Sequence, residues 1–283
     1  MTEKVRELRD FPNAWNLDYF EFLVERVWKI YRTVRVIDFG CGSGYMAALM
    51  MPLLSAGSSY AGIDKNAKAI EKAKDIFEDS GWAVDFSECD LNDYLPEEKY
   101  DIAICHGVLN HIPNAGSVLE KMVNSVVAGG RVICIEANAI IMAAAGDYWH
   151  GEDKFTNMGL TQKWLDAELA NGGDNGGAGC DRYIGIKIPA MMHDLGLKDI
   201  DIRVNEKCTM RFVNPKDITR PDKNEIRKNI AEYFLKIGLS DADADDYAED
   251  SMKFHNFMSR QTSEVINIKT PAWVISYGTK MSK

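Results

Sequence analysis

Short apolar runs alternate with amphipathic stretches between about residue 34 and residue 137. The apolar runs have β-strand composition, and they are VRVIDF, SYAGID, AVDFSE, YDIAIC and RVICIEA. Between them, apolar residues recur at helical spacing in YMAALMMPLL, NAKAIEKAKDIFEDSG and AGSVLEKMVNSVVAGG. Strands that are apolar on both faces and are joined by helices form βαβ units. The pattern therefore predicts a doubly wound α/β sheet, with helix ends at Gly81 and at Gly129-Gly130.

Two further β-like runs come late in the chain. They are DIDIRVNE (199–206) and AWVISYGTK (272–280), and they complete a predicted sheet of seven strands, mostly parallel. Residues 207–270 separate them and contain the helical runs PDKNEIRKNIAEYFLKIGL and DADADDYAEDSMKFHNFMSRQ. We therefore expect a helical cap inserted between the sixth and seventh strands.

Two other segments flank this pattern. The region 150–196 also has a helical pattern, interrupted by NGGDNGGAG (171–179), which we interpret as a flexible connection. Ahead of the first strand, NLDYFEFLVERVWKIYR predicts an amphipathic helix. Its residues expected to pack on the sheet are Phe22, Val24, Val27 and Trp28, and Tyr19 is expected near the upper rim. The predicted domains are thus a helical cover (1–33), a sheet domain (34–206 and 271–283) and the cap (207–270).

Composition excludes several classes of partner. The formal net charge of −10 argues against a nucleic-acid binder, because affinity for phosphate backbones depends on clustered Lys and Arg. The six cysteines form no CxxC pair and the acidic run DADADDYAED lacks EF-hand spacing, so no metal site is predicted. MTEKVRELRD has no apolar signal core and VICIEANAIIMAAAG is too short and interrupted to span a bilayer, so we expect a cytoplasmic protein without a membrane partner. The sequence indicates no particular oligomeric state.

The stretch VIDFGCGSGYM has a glycine-rich turn directly after the first strand. The nicotinamide fingerprint G-x-G-x-x-G requires glycine where Tyr45 stands. Asp38 lies two residues before the first glycine, and a carboxylate there disfavours a pyrophosphate. It suits a cofactor with an ammonium group and a sulfonium and no phosphate. The turn therefore favours S-adenosylmethionine over a dinucleotide.

Acidic residues also end the next two strands. Asp64, in YAGIDKN, could accept both ribose hydroxyls, although NAD enzymes share this feature. In SECDLND, Asp90 could accept from the adenine amino group while Leu91 flanks the ring. The fourth strand, YDIAICHGVLNHIPN, ends in small and polar residues where the methionine moiety would lie.

Four ordered motifs, VIDFGCGSG, GIDKN, ECDL and YDIAICHGVLNHIPN, resemble those of class I SAM-dependent methyltransferases. The resemblance is to the broad group that contains the ubiquinone-biosynthesis methyltransferases, strongly over 34–137 and loosely over 184–205. It implies a Rossmann-like methyltransferase fold and S-adenosylmethionine as cofactor. By position, the implied cofactor-binding residues are Tyr19, Asp38, Gly40, Cys41, Gly42, Asp64, Lys65, Asp90, Leu91, Cys105 and His106.

The resemblance implies transfer of a methyl group to an O or N atom of a small molecule enclosed under the cap. His106 or His111 could act as general base toward the acceptor. Glu136, at the end of the fifth strand, could hold an amine or could have a structural role. The alternatives are an RNA or protein methyltransferase and a SAM-binding protein without turnover; a dehydrogenase is disfavoured by Tyr45 and Asp38.

Overall fold

The computed structural model describes residues 1–10, 15–138, 147–150, 158–170, 181, 183–269 and 273–282. Contacts divide the chain into two compact units. The first contains Met1–Ala137, Ile184–Lys207 and Trp273–Lys283, and the second contains Asn138–Tyr183 and Cys208–Ala272. The sequence pattern placed the boundary of the insertion at residues 207 and 270; the glycine-rich segment 171–179 lies outside the described residues.

The described elements alternate between helix and strand through the first half of the chain. In chain order they are α1 (Glu3–Asp10), α2 (Leu17–Phe22), β1 (Arg35–Phe39), α3 (Tyr45–Met50), β2 (Ser59–Asp64), α4 (Ala67–Phe77), β3 (Ala83–Glu88), β4 (Tyr100–His106), α5 (Ala115–Ser125) and β5 (Val126–Ala137). They continue with β6 (Asp147–Trp149), α6 (Met158–Ala170), α7 (Ile184–Asp194), β7 (Lys198–Val204), β8 (Thr209–Val213), α8 (Lys223–Lys236), α9 (Asp241–Met258), β9 (Val265–Lys269) and β10 (Trp273–Thr279).

The first unit is built on a seven-stranded sheet with the order β3-β2-β1-β4-β5-β10-β7. The pairs among β1 to β5 are parallel, and β10 is antiparallel to both β5 and β7. This confirms the predicted doubly wound, mostly parallel sheet, with β7 and β10 as its sixth and seventh strands. The strand order reverses between β1 and β4, and a crevice opens at the carboxyl ends of strands at such a point.

Each face of this sheet is covered by helices, so the central strands are buried on both sides. Val36 and Ile104 pack with residues of α1, α2, α3 and α4 in one core. Ile37, Phe39 and Ala103 pack with residues of α5 and α7 in the other. Because successive strand residues point to opposite faces, this double burial explains why the strands read as continuous apolar runs.

Several predicted helices of the first unit end earlier than their sequences indicated. Helix α4 ends at Phe77, before the predicted end at Gly81. Helix α5 ends at Ser125 rather than at Gly129-Gly130, because Val126 already begins β5. In the N-terminal helix, a π-helical turn at Leu23–Val27 follows α2. The wider turn rotates the face of the helix that is buried. Val24 and Trp28 are buried as predicted, whereas Phe22 is exposed, so the prediction for Phe22 was wrong.

The second unit combines helices with a small antiparallel sheet of order β6-β9-β8. One of its cores contains Leu160 of α6, Phe234 and Ile237 at α8, and Ala244 of α9. Within 207–270 the sequence predicted helices only, whereas the structure also has β8 and β9. Their pairing joins segments about 50 residues apart, so no local pattern signals it. No helix of the described chain has the length and apolar character needed to cross a membrane.

Phe234→Ala tests whether the second unit depends on its own core. Phe234 is fully buried, and its ring lies 5.2 Å from Trp164 and 5.8 Å from Tyr247 between centroids. We expect the free energy of unfolding of this unit to fall by about 3–5 kcal/mol, the usual cost of truncating a buried phenylalanine. Leu235→Ala is the matched control, because its side chain is 57% exposed and its loss should cost about 0.5 kcal/mol or less. Urea unfolding of both variants would contradict the assignment if the two midpoints coincided.

Candidate functional site

The turn between β1 and α3 is shaped by glycine. Gly40, Gly42 and Gly44 have φ angles of 76°, 53° and 86°, in the left-handed region where side chains are disfavoured. At Gly40 an added Cβ would lie 2.5 Å from a methyl carbon of Val108. At Gly42 an added Cβ would meet nothing within 4 Å, so space remains above the backbone there. Val108 therefore packs against the turn at Gly40, whereas the space at Gly42 is open to a ligand.

Asp64, the last residue of β2, is bonded to this turn. Its Oδ2 accepts from the Gly42 N–H at 2.9 Å, and its Oδ1 accepts from the Asn66 N–H at 2.9 Å. A carboxylate has about four acceptor positions, so these two bonds leave capacity for ribose hydroxyls. The neighbouring Lys65 is exposed. The structure thus brings Asp64 and the predicted glycine turn together.

Asp38 lies beneath the turn, with only 1% of its surface exposed. Its Oδ2 accepts from the Tyr60 hydroxyl at 2.7 Å, whereas its Oδ1 has no hydrogen-bond partner among the described residues. Burial raises the pKa of Asp38 to about 7, although the Tyr60 hydrogen bond opposes the shift. A buried carboxylate oxygen without a donor is costly, and a ligand ammonium would satisfy it. The site therefore fits the amino group of S-adenosylmethionine.

Asp90 and Leu91 follow β3. Asp90 Oδ1 accepts from the backbone N–H of Asn92 at 2.8 Å and from its side-chain amide at 2.9 Å. The backbone bond is the main reason why the pKa of Asp90 is lowered. Leu91 is 7% exposed and packs in the core with Ile37 and Ile63. Contacts of Asp90 and Leu91 with adenine stay predictions.

The two cysteines that were predicted to bind the cofactor are core residues. Cys41 is 6% exposed, and its Sγ lies 3.6 Å from the Gly42 carbonyl oxygen. Cys105 is fully buried, with its Sγ 3.6 Å from Glu136 Oε1. Burial raises the pKa of both thiols. Both side chains are thus committed to the protein interior, and any contact with a cofactor would come from the backbone.

Glu136, near the end of β5, holds the loop that follows β4. Its Oε1 accepts from the N–H groups of Val108 and Leu109, both at 2.9 Å. Its Oε2 accepts from the Asn110 N–H at 3.4 Å. The side chain is fully buried, which raises its pKa to about 7 against the lowering effect of these N–H groups. These contacts favour the structural role over the holding of a substrate amine.

The two candidate bases lie in different environments. The His106 ring stacks on Trp273 with 4.8 Å between centroids, and the Tyr45 ring lies 5.9 Å away. Desolvation among these groups lowers the pKa of His106 to about 4, so it is neutral and a weak base at pH 7. His111 ends a short 3₁₀ turn and is exposed. General-base roles for both histidines stay predictions.

Tyr19 lies toward another part of the sheet. Its hydroxyl donates to the carbonyl oxygen of Val204 at 3.0 Å, at the end of β7. In the strand order, β4, β5 and β10 separate β7 from β1. The structure thus brings Asp38, Gly42 and Asp64 together, whereas the Tyr19 hydroxyl bonds to the edge strand β7, and a cofactor contact of Tyr19 stays a prediction.

Sequence reasoning missed two tryptophans beside the turn. Trp273 begins β10 and stacks on His106, and the Trp15 ring lies 6.3 Å from the same histidine. Trp273 lies at the start of a predicted strand and Trp15 precedes a predicted helix, and neither position carries a periodic signal. The contact of Trp273 with His106 arises from strand order, because β10 and β4 lie on either side of β5.

Glu136→Gln tests the buried carboxylate. A carboxyl group whose pKa rises from 4.5 in the unfolded chain to about 7 in the folded one binds its proton more tightly when folded. Stability therefore falls as pH rises from about 5 through 7, by up to about 1.4 kcal/mol per pH unit. We expect the urea-unfolding midpoint of Glu136→Gln to change less between pH 5 and pH 8 than that of the wild type. Asp38→Asn is the matched variant, because it removes the other carboxyl group whose pKa is raised to about 7. An unchanged dependence of the unfolding midpoint on pH in Glu136→Gln would contradict the assignment.

Comparison with known proteins supports one family. A family model described as a methyltransferase domain matches residues 31–181, which is more than half of the 283 residues. The ubiquinone biosynthesis O-methyltransferase of Rickettsia felis is 25% identical over 152 residues, covering 47% of this chain and 61% of the relative. The same enzyme of Thiobacillus denitrificans is 32% identical over 100 residues, covering 35% and 42%. The chain thus matches about half the length of these relatives.

Solved structures share the fold. Phosphoethanolamine N-methyltransferase 2 of Haemonchus contortus, in complex with S-adenosyl-L-methionine, superposes with a TM-score of 0.53 at 14% identity, over 99% of this chain and 56% of that one. The [4+2]-cyclase SpnF superposes with a TM-score of 0.50 at 15% identity, over 94% and 82%. At such identities the likeness concerns the fold alone, and the family model identifies the relationship. This chain belongs to the methyltransferase domain family, and it is a class I member with S-adenosylmethionine as its cofactor.

Proposed function

We propose that this protein transfers the methyl group of S-adenosylmethionine to an O or N atom of a small molecule. The observation that carries the proposal is Asp38 Oδ1, which is buried beneath a turn that is open at Gly42 and has no partner among the residues described. A phosphate at this place would meet a buried carboxylate, whereas an ammonium would satisfy it. The position of Asp64, bonded to the same turn, supports a ribose on the adjacent side.

The chain contributes mainly binding and alignment. When bound, S-adenosylmethionine supplies a methyl group activated by its sulfonium. Asp38 would hold the amino group, Asp64 the ribose hydroxyls and Asp90 the adenine amino group. Fixing the reactants in line contributes roughly 7–11 kcal/mol in favourable cases, so such a site needs few reactive side chains.

Proton removal depends on the acceptor atom. A base is required only if the acceptor is protonated at the working pH. His106 at a pKa of about 4 is poorly matched to this task near pH 7, although it lies at the end of β4 beside the turn. We propose His111 as the alternative base, since its position in the loop held by Glu136 ties it to the same end of β4.

A small acceptor is supported by charge and by chain connectivity. The net charge of −10 disfavours an RNA substrate, and the curated relatives are O-methyltransferases of ubiquinone biosynthesis. The chain leaves the first unit after β5 and after β7 and returns at β10, and all three points belong to the carboxyl edge of the sheet. We therefore propose that the insertion 207–270 serves as a cap for the acceptor.

Methyl transfer is tested with labelled cofactor. Purified protein is incubated with methyl-labelled S-adenosylmethionine and a cell extract, and small molecules are then separated from RNA and protein. We expect label in the small-molecule fraction, resistant to nuclease and protease. With the cofactor below its dissociation constant, Asp64→Ala should reduce the signal by about 30-fold or more, because losing its charge-assisted hydrogen bonds weakens cofactor binding by about 2 kcal/mol or more.

The other outcomes separate the alternatives. Label in RNA or protein would replace the small-molecule proposal with macromolecular methylation. Cofactor binding by calorimetry, without label in any fraction from extracts of several growth conditions, would favour a SAM-binding protein without turnover. Label that is unchanged in Asp64→Ala would overturn the assignment of the site.

Cofactor affinity should depend on pH through Asp38. In the free protein the pKa of Asp38 is raised to about 7, and a bound ammonium favours the ionised carboxylate. Affinity for S-adenosylhomocysteine should therefore rise between pH 5.5 and 7.5, by up to about tenfold per unit below the pKa. Asp38→Asn should bind more weakly and lose this slope in calorimetry. Affinity for 5′-methylthioadenosine, which lacks the amino-acid group, should show no such slope, and an equal slope for both ligands would contradict the role of Asp38.

A further inference from the structure

We propose that the indole N–H of Trp15 donates a hydrogen bond to the carboxylate of the cofactor, so that Trp15 and Asp38 together hold its zwitterionic end. This inference rests on the proposed function, because it names the partner of one more group of the same ligand.

Trp15 has a buried donor that bonds to no described residue. Its side chain is 3% exposed, and its Nε1 has no hydrogen-bond partner among the described residues. An indole N–H can only donate, so its partner must be an acceptor. Buried tryptophans usually bond this group, which makes an unpaired one an indication of a missing partner.

Ring contacts place Trp15 beside the glycine turn. Its ring lies 6.3 Å from that of His106, and the Tyr45 ring lies 5.9 Å from the same histidine. Tyr45 is the first residue of α3 and so follows the turn directly. The parallel pairing of β1 with β4 ends at Phe39 opposite Cys105, so His106 lies next to Gly40 in register.

Asp38 and Trp15 share one face of the sheet. Val36, two residues before Asp38, packs in the same core as Trp15, while the alternate residues Ile37 and Phe39 pack in the other. Because strand side chains alternate between faces, the Asp38 side chain points to the face that carries Trp15. On this face, Asp38 Oδ1 is an acceptor and Trp15 Nε1 is a donor, and neither has a partner in the part of the chain that the structure describes.

The two unpaired atoms together define the ligand chemistry. A group that satisfies both must carry a cationic donor and an anionic acceptor a few bonds apart. An α-amino acid group has both, and S-adenosylmethionine ends in one. Neither the ribose nor the adenine offers this combination of charges, so the geometry assigns the methionine end to this face of the turn.

An indole N–H without a partner is not by itself evidence of a ligand, because Trp28 has one as well. Trp28 therefore provides a matched control. It is 1% exposed, its Nε1 is also unpartnered among the described residues, and its ring packs edge-on against Phe20 at 5.8 Å. Trp15 packs on the same Phe20 ring at 5.1 Å. Trp28 ends the π-helical turn, whereas Trp15 also contacts His106. Substituting either tryptophan perturbs the same core.

The experiment compares S-adenosylmethionine with its decarboxylated analogue, which keeps the ammonium and the sulfonium. Dissociation constants are measured by calorimetry for the wild type, Trp15→Phe and Trp28→Phe at one pH. We expect the wild type to prefer S-adenosylmethionine by about tenfold, the usual effect of one hydrogen bond to a charged group. Trp15→Phe should bind both ligands about equally, while Trp28→Phe should keep the wild-type preference.

Each other outcome is decisive. Equal affinity of the wild type for the two ligands overturns the inference without any substitution, and so does a full wild-type preference in folded Trp15→Phe. If Trp15→Phe keeps that preference and instead raises the KM for the methyl acceptor, the donor serves the acceptor and the inference fails. If the wild type binds neither ligand, the proposed function fails as well, so the two failures are distinguishable.

Discussion

The parallel pairing of β1 with both β2 and β4 determines where the candidate site lies. It places the carboxyl ends of three strands side by side, so that Asp38, Asp64 and His106 meet one turn although up to about 70 residues separate them. The chain leaves β1 through α3 to form β2 and β3 on one side of β1 and then returns at β4 on the other side, which opens the crevice at that point. The chemistry proposed for this protein depends on that geometry more than on any reactive side chain.

Carboxylates organise the rim of this crevice through backbone N–H groups. Asp64 fixes the turn at Gly42, and Glu136 fixes the loop from Val108 to Asn110. Val108 in turn packs under Gly40, so the loop and the turn support each other. Asp38 differs, because one of its oxygens has no protein partner among the described residues. Glu136 thus has a structural role, Asp64 fixes the turn and keeps acceptor positions for a ligand, and Asp38 has one oxygen that no described residue satisfies.

In the second unit, local sequence patterns predict the helices but not the strands. Its helices α8 and α9 follow from their own periodicity and caps, such as the Ser240 side chain that accepts from the Asp243 N–H. Its strands β8 and β9 escaped prediction, since their stability comes from pairing across the two helices between them. The early end of α5 has the same origin: Val126 pairs with Tyr100 of β4, and that long-range pairing replaces a helical continuation.

The sequence by itself determined the sheet and the cofactor and indicated the acidic residues that we propose to hold it, because glycines, strand-end carboxylates and apolar periodicity are local signals. Asp38, Gly40, Gly42 and Asp64 could all be named from one turn and one strand end. Only the tertiary structure decided that Glu136 is a structural acceptor and that His106 is a desolvated ring. It alone showed that the Trp15 indole N–H has no acceptor among the described residues, because burial and hydrogen-bond satisfaction depend on neighbours that are distant in the chain.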